Sequence, residues 1–341
     1  MLKLLYISPN YMKRVNWGHQ LFRNAIKDNP NCKYIQYGEG MQYKGSKDVI
    51  EILSTLQREE NFIPEMIMLE NWKNIRNMTG WDRFSGIVRG LYLGDYLPDQ
   101  RGNIQQYNKL INDYGIHVVF CPVPEVQRQF SRCQREGAVS KDIQAVLLPY
   151  SVDIDVYKPR PMKKIYDVMA VFGLVSYVYP MRPNVQAMIK KMPVSSLIGD
   201  WKSGIKHFDY AKALSQSKIF VSVNGINNQI TMKYTEAMSS GCLLLTNRPK
   251  DFTELGFKPG EHCVCWSSLH DLEERILYYL DHEDERKAIA KAGKDFVREN
   301  YSTTVLAEEF VSYGQSLVND LLRDSVIGED NASSEDSRQS D

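Results

Sequence analysis

Short runs of β-branched residues and leucine alternate along most of this chain with longer stretches whose apolar positions recur at helical spacing. The runs at 2–7, 33–37, 65–69, 86–93, 117–121 and 145–148 read as buried strands, since most are apolar nearly throughout rather than at alternate positions. The stretches 16–29, 47–60, 103–114 and 124–135 between them read as helices, the first with Leu21, Phe22, Ala25 and Ile26 turned inward. Strand and helix in alternation predict a mostly parallel, doubly wound sheet.

The rhythm fails at 149–164, where Pro159 and Pro161 precede two adjacent lysines and neither period holds. It then restarts, with strands at 167–172, 195–198, 219–223, 242–246 and 262–266 and helices at 182–192, 209–217 and, barely two turns long, from 231. From 268 onward the spacing is helical only, at 269–281, 284–300 and 303–322. The fold class expected is α/β, with two Rossmann-like doubly wound domains. They occupy 1–150 and 165–302, joined by a hinge at 151–164 and followed by a C-terminal helix at 303–323. The acidic tail at 324–341, rich in Ser and Asp and nearly without apolar residues, has little to bury and is expected to be disordered. Two such domains leave a cleft between them.

Composition sharpens this only in places. The 341 residues are 43% hydrophobic and carry no net formal charge, so no global attraction to nucleic acid or acidic membranes is built in. Residues 1–150 do hold 19 Lys and Arg against 15 Asp and Glu, enough to allow a mildly anionic partner. Cys32, Cys121, Cys133, Cys242, Cys263 and Cys265 are scattered, with no CxxC spacing, and read as reduced thiols of a cytoplasmic protein. No apolar run approaches the ~20 residues of a membrane span, and the start of the chain turns polar too soon for a signal peptide.

The candidate chemistry lies in the unit around 219–246. A loop at 224–230 leaves the first strand at the edge where parallel sheets bind ligands, and Thr231 is placed to cap the helix that follows. Backbone N–H groups at such a helix start, with Lys233 in its first turn, suit a phosphate. Glu236, three residues on, can face the same cleft and accept hydrogen bonds from vicinal hydroxyls such as those of a ribose. A Lys and Glu at this spacing are also what an ordinary helix surface carries, so the pattern alone leaves both readings open.

At this point the residues carry a likeness. Leu148-Pro149-Tyr150-Ser151-Val152-Asp153 through Tyr157-Lys158-Pro159, then Tyr179-Pro180-Met181-Arg182, then Lys233 to Gly241 followed by Cys242-Leu243-Leu244-Leu245-Thr246, and finally Asp284-Glu285-Arg286 through Tyr301-Ser302 resemble, in order, segments of the GT-B glycosyltransferases of the group 1 type. Their spore-maturation-protein-like branch is the nearest in pattern. Ser151 stands where Gly is usual and Tyr157 where Phe is usual. The likeness is strongest over 150–315; earlier it touches only Tyr92-Leu93-Gly94-Asp95 and the loop around Gly18.

The resemblance implies a nucleotide-sugar donor, with a UDP- or GDP-sugar as substrate and neither a metal nor a separate cofactor. It assigns Glu236 to the ribose, Arg182 and Lys233 to the diphosphate, the loop with Asn228 and Thr231 to the sugar or its phosphate, and Gly199, Asp200 and Gly18 to the donor's surroundings. Asn228 departs from the pattern, because many retaining members carry Glu there; an amide cannot set a negative charge against an oxocarbenium-like transition state. Retention and inversion both stay open. An inverting reaction would need a base on the first domain's face, where Asp95 and His19 are the candidates. Donor binding without transfer, an epimerase or phosphorylase on the same fold, and a polyanionic acceptor on the mildly basic first domain are the alternatives, although Arg128, Arg132 and Arg135 there recur at the helical spacing usual for a solvated basic face.

Overall fold

The computed structural model describes residues 1–12, 17–70, 75–94, 96, 103–174, 179–200, 205, 207–225 and 228–336, with side chains of the last helix described to 323. Its first sheet is six-stranded and wholly parallel, in the order β2-β1-β3-β4-β5-β6. The strands are β1 (Leu2–Ile7), β2 (Cys32–Tyr37), β3 (Met66–Glu70), β4 (Val88–Tyr92), β5 (Val118–Cys121) and β6 (Gln144–Leu147). Leu5 lies opposite both Ile35 of β2 and Ile67 of β3. With helices on both faces, β3 is buried at every position, which is why these strands show continuous apolar runs. Helices α1 (Trp17–Lys27), α2 (Val49–Glu60), α3 (Asn103–Asp113) and α4 (Pro124–Arg135) make the connections. Asp48 caps α2 by accepting from the N–H groups of Ile50 and Glu51, and Asn61 ends it in the left-handed region.

The second sheet has five parallel strands, β11-β10-β9-β7-β8. They are β7 (Tyr166–Val171), β8 (Ser196–Gly199), β9 (Ser217–Ser222), β10 (Leu243–Asn247) and β11 (Val264–Trp266), connected by α5 (Met181–Ile189), α6 (His207–Ser215) and α7 (Met232–Ser239). In both sheets the order reverses beside the first strand, between β1 and β3 and between β7 and β9. Ligands of open parallel sheets bind in the crevice at such a reversal, beyond the carboxyl ends of the strands. The apolar interior is continuous between the lobes: Tyr157, Met169, Tyr234 and Phe252 belong to the same buried cluster as the first sheet.

Helices α8 (Leu269–Asp281) and α9 (Glu283–Asn300) cover the outer face of the second sheet. The chain then crosses back beside the linker. Val152 N–H donates to Tyr301 O at 2.8 Å, Thr303 N–H donates to Val152 O at 2.9 Å, and the Arg298 guanidinium donates to Ile154 O at 3.1 Å. The last helix, α10 (Thr303–Asp336), lies on the first sheet, where Phe310 packs at 5.1 Å from Phe120 and 6.1 Å from Phe22. Burying that one ring stabilises the docking by roughly 1.5–3 kcal/mol.

The backbone of α10 runs on to Asp336, beyond the last side chain described in it, at 323. The six cysteines are free thiols, all buried except the half-buried Cys265. Among the described residues no helix is long and apolar enough to cross a membrane.

Candidate functional site

A cavity of about 420 Å³ opens between the sheets at their carboxyl ends, lined by both lobes. The second lobe contributes the start of α7. This helix is short because Gly241, at φ 78°, takes the left-handed conformation that ends it, its N–H donating to Met238 O at 2.9 Å. It is anchored from beneath: the Tyr234 hydroxyl donates to Asn224 Oδ1 at 2.6 Å and Ser239 Oγ donates to the Tyr157 carbonyl at 2.6 Å. Thr231 occupies the N-cap position in extended conformation, but its side chain makes no capping bond and its buried hydroxyl has no partner. The expected cap is therefore only positional, and the first N–H groups of the helix have no side-chain partner at the cap.

Lys233 and Glu236 both line the cavity. The lysine is half-buried, with Nζ 4.4 Å from the centre of the Tyr210 ring. Burial lowers its pKa, with Arg182 adding repulsion and Glu236 opposing both. Glu236 is 6% exposed; burial pushes its carboxyl above the ordinary value, against the pull of Lys233 and of the Tyr157 hydroxyl. Arg182, 5% exposed, sits at the strand reversal itself. It donates to the carbonyls of Gly173, just after β7, at 3.0 Å and Val223, just after β9, at 3.3 Å. Its guanidinium lies 3.4 Å from the Tyr179 ring centre, and its buried Nε has no hydrogen-bond partner.

Three of the expected donor residues stand outside this lining. Asn228 is exposed and left-handed (φ 62°), its side-chain oxygen accepting from Asn224 Nδ2. The Gly199 carbonyl is taken by Gln186 at 2.7 Å and the Phe172 N–H at 3.2 Å. Asp200, half-buried, follows it at the end of β8.

The first-lobe wall brings Gly18 and His19 to the cavity from the start of α1. His19 Nδ1 is 3.0 Å from Glu70 Oε1, and the ring packs edge-on to Tyr92. Glu70, the last residue of β3, is also held by the guanidinium of the fully buried Arg23 and by the Tyr6 hydroxyl at 3.2 Å. Burial alone would raise its pKa, but Arg23 and His19 outweigh it and bring the group down to about 2. Asp95, the other candidate base, lies outside the described residues. Glu70, Arg23 and Tyr6 were not singled out from the sequence, although a signal was there. A lone carboxylate ends an otherwise apolar strand, and His19 and Arg23 stand four apart, on one face of a helix. Among the described residues no cluster of His, Cys, Asp and Glu suited to a metal ion is found.

Residues 182–312 match the family model described as glycosyl transferase-like, and the chain as a whole is similar in structure to solved glycosyltransferases. Sucrose-phosphate synthase from Thermosynechococcus elongatus aligns over 94% of this chain and all of its own, at 11% identity and TM-score 0.64. Anabaena HepE in complex with UDP-glucose aligns over 93% of this chain and all of its own, at 13% identity and TM-score 0.67. A glycosyltransferase from Rickettsia africae aligns over 94% and 98%, at 12% identity and TM-score 0.60. The fold is GT-B. No curated protein matches the sequence.

Among the described residues, two groups of side-chain contacts reach across the GT-B cleft. On one side the Trp17 indole of α1 donates to the Tyr157 hydroxyl at 3.0 Å, its ring 5.0 Å from His207 and 5.1 Å from Phe208 of α6. On the other, Arg128 of α4 reaches Asp251 at 2.5 Å and Glu254 at 2.8 Å while holding Glu125 on its own helix. Arg128 was expected on a solvated basic face; it is a cross-lobe ion pair instead, because its helix starts at the cleft edge.

Proposed function

We propose that the protein is a glycosyltransferase moving a hexosyl or pentosyl group from a UDP- or GDP-sugar to an acceptor hydroxyl or amine, in the cytoplasm and without a metal. The observation that carries this reading is the facing of Arg182, Lys233 and Glu236 with His19 across one cavity at the strand reversals. HepE has been solved in complex with UDP, with UDP and glucose, and with UDP-glucose, which agrees with a nucleotide-sugar donor.

In this mechanism the bond between the anomeric carbon and the diphosphate breaks, and the departing charge must be met. Lys233, the Arg182 Nε–H and the uncapped start of α7 supply positive potential in a half-dry site, where it is worth more than in water. That removes the need for a metal. The buried Glu236 carboxylate accepts the ribose hydroxyls, and the burial that raises its pKa is offset when those donors arrive. The acceptor, whether a glycan, a protein or a modified nucleobase, meets the first-lobe wall beside His19.

The test is a panel of nucleotide sugars, with chelator present, followed by calorimetry and by release of free nucleotide. One donor should bind and be slowly hydrolysed, and Glu236→Ala should weaken binding without unfolding the protein. A panel in which no nucleotide sugar binds sinks the reading. Binding without turnover against every acceptor offered would favour a sugar-nucleotide-binding protein.

A further inference from the structure

We infer that Tyr157 is a positioning residue for Glu236, and that Trp17, on the opposite lobe, acts on the ribose site through the tyrosine's hydroxyl. This rests on the transferase reading above. Tyr157 lies in the linker between the lobes and is 1% exposed, yet it borders the cavity together with Trp17 and Glu236. The indole N–H of Trp17 can only donate, so at 3.0 Å the Tyr157 oxygen must be its acceptor. The tyrosine's one proton is then available to another partner. The Glu236 carboxyl takes it, the two side chains being hydrogen-bonded. An O–H whose oxygen already accepts a bond is polarised and donates more strongly, so the indole of α1 is felt at the carboxylate of α7.

Helix α7 grips the tyrosine at both ends. Ser239, three residues after Glu236 and on the same face, donates to the Tyr157 carbonyl at 2.6 Å. The Tyr157 N–H donates to Asp153 O at 2.8 Å, and its ring stands edge-on to Trp17 at 6.1 Å and to Tyr210 at 6.4 Å. A ring clamped in this way has one place for its hydroxyl, and Glu236 is held to match. An ionised carboxylate has acceptor sites to spare beyond the tyrosine's one proton, and these are left for the ribose hydroxyls. Among the described residues, the titratable groups acting on Glu236 are Lys233 on its own helix, Tyr157, and Tyr210 on α6, with Arg182 on α5 acting on Lys233. Trp17 carries no charge, so a change there reaches the carboxyl by way of the hydroxyl. A tyrosine that only satisfied the indole would leave the titration and the binding of Glu236 untouched.

The experiment is a 13C NMR titration of the Glu236 carboxyl in the ligand-free protein, beside calorimetry with the donor that the nucleotide-sugar panel identifies. It compares the wild type, Trp17→Phe, Tyr157→Phe and the double variant. The Glu236 midpoint should move up in Tyr157→Phe and, by less, in Trp17→Phe, and the double variant should match Tyr157→Phe alone. Losing a hydrogen bond to a charged group should weaken donor binding about tenfold in Tyr157→Phe, and the loss should deepen as pH falls. Trp17→Phe should cost roughly threefold while the hydroxyl is present, since it weakens that bond by a fraction, and nothing once the hydroxyl is gone. An unmoved midpoint in Tyr157→Phe, or an equal effect of Trp17→Phe in both backgrounds, overturns the inference while the transferase reading stands. Should Tyr157→Phe fail to fold, an unmoved midpoint in Trp17→Phe overturns it by itself. If no nucleotide sugar binds, the transferase reading fails and takes the ribose role with it, and the titration alone then decides whether Tyr157 holds Glu236.

Discussion

Two buried carboxylates face one another across the cleft in opposite electrostatic states. Glu70 and Glu236 are nearly equally hidden, 5% and 6% exposed. Glu70 meets a guanidinium, an imidazole and a phenol, and its pKa falls to about 2; Glu236 meets a half-buried lysine and one hydroxyl, and its pKa rises. Burial is the leading influence on both, so the difference lies in the partners each wall provides. A buried carboxylate whose needs are met holds other groups in place. One whose needs are unmet is waiting for hydrogen-bond donors that the protein does not supply, and a ribose supplies two.

The largest effect expected is on the satisfied side. Glu70→Leu strands Arg23 in the core with its charge uncompensated, and should cost ~3–5 kcal/mol of stability in denaturant unfolding. The pH dependence follows from the same pairing. The folded pKa of Glu70 lies below its ordinary value, so its contribution, on the order of 3 kcal/mol, is complete above the ordinary carboxylate pKa of about 4.3 and is lost as pH falls toward 2. If Glu70→Leu unfolds at the same denaturant concentration as the wild type, the two walls are not different in kind.

Glu236 should behave in the opposite sense. Its folded pKa is raised, so the folded state holds the proton more tightly than the unfolded chain, and stability falls as pH rises from about 4.3 toward that raised value. Glu236→Gln removes that fall: unfolding measured from pH 4 to 7 should give a flatter curve, with stability at pH 7 equal to or above the wild type. Donor affinity should drop about 10- to 100-fold, or ~1.4–2.8 kcal/mol, in calorimetry. A variant that loses stability at pH 7 along with affinity would make Glu236 a structural carboxylate like Glu70.

How far each wall could be read beforehand tracks the same contrast. The architecture was legible because strands covered on both faces must be continuously apolar, and both sheets lie close to where those runs put them. Lys233 and Glu236 were legible because one short helix carries them three residues apart, so local spacing alone predicts a shared face. The opposite wall is assembled from residues that meet only on folding. Glu70 is 47 positions from Arg23 in sequence and Tyr6 is 64 from Glu70, and no local period links them. Asn228 and Gly199 stand outside the cavity lining for the converse reason. Their places in the chain are near the site, but a left-handed residue at 228 and a carbonyl claimed by Gln186 turn them to other work.

A smaller effect is expected at the cross-lobe ion pair. Arg128→Met leaves Asp251, which is fully buried, without its cation. Arg128 is half exposed and partly screened, so the loss should be about 1–3 kcal/mol, the penalty for one buried acceptor left without its donor. Donor affinity, which the proposed function places on the second lobe, should hardly change. An unfolding midpoint that is unchanged at low salt would show that the aromatic contact at Trp17 closes the cleft without help from the ion pair.

The smallest effect expected lies where the two walls touch. Gly18, next to His19, leaves no room for a side chain: a Cβ there would stand 2.1 Å from the terminal methyl of Met232, the first residue of α7. That methyl is the end of a flexible side chain, so Gly18→Ala should cost only about 1 kcal/mol in overpacking, with some return from better helix propensity. The displaced Met232 would nonetheless press the start of α7 away from the helix that carries His19. Turnover should therefore fall several-fold in Gly18→Ala, and Gly18→Ala with Met232→Ala should recover it, the shortened side chain making room for the added methyl. If the double variant is as slow as the single one, the spacing of the two walls is not what the glycine protects.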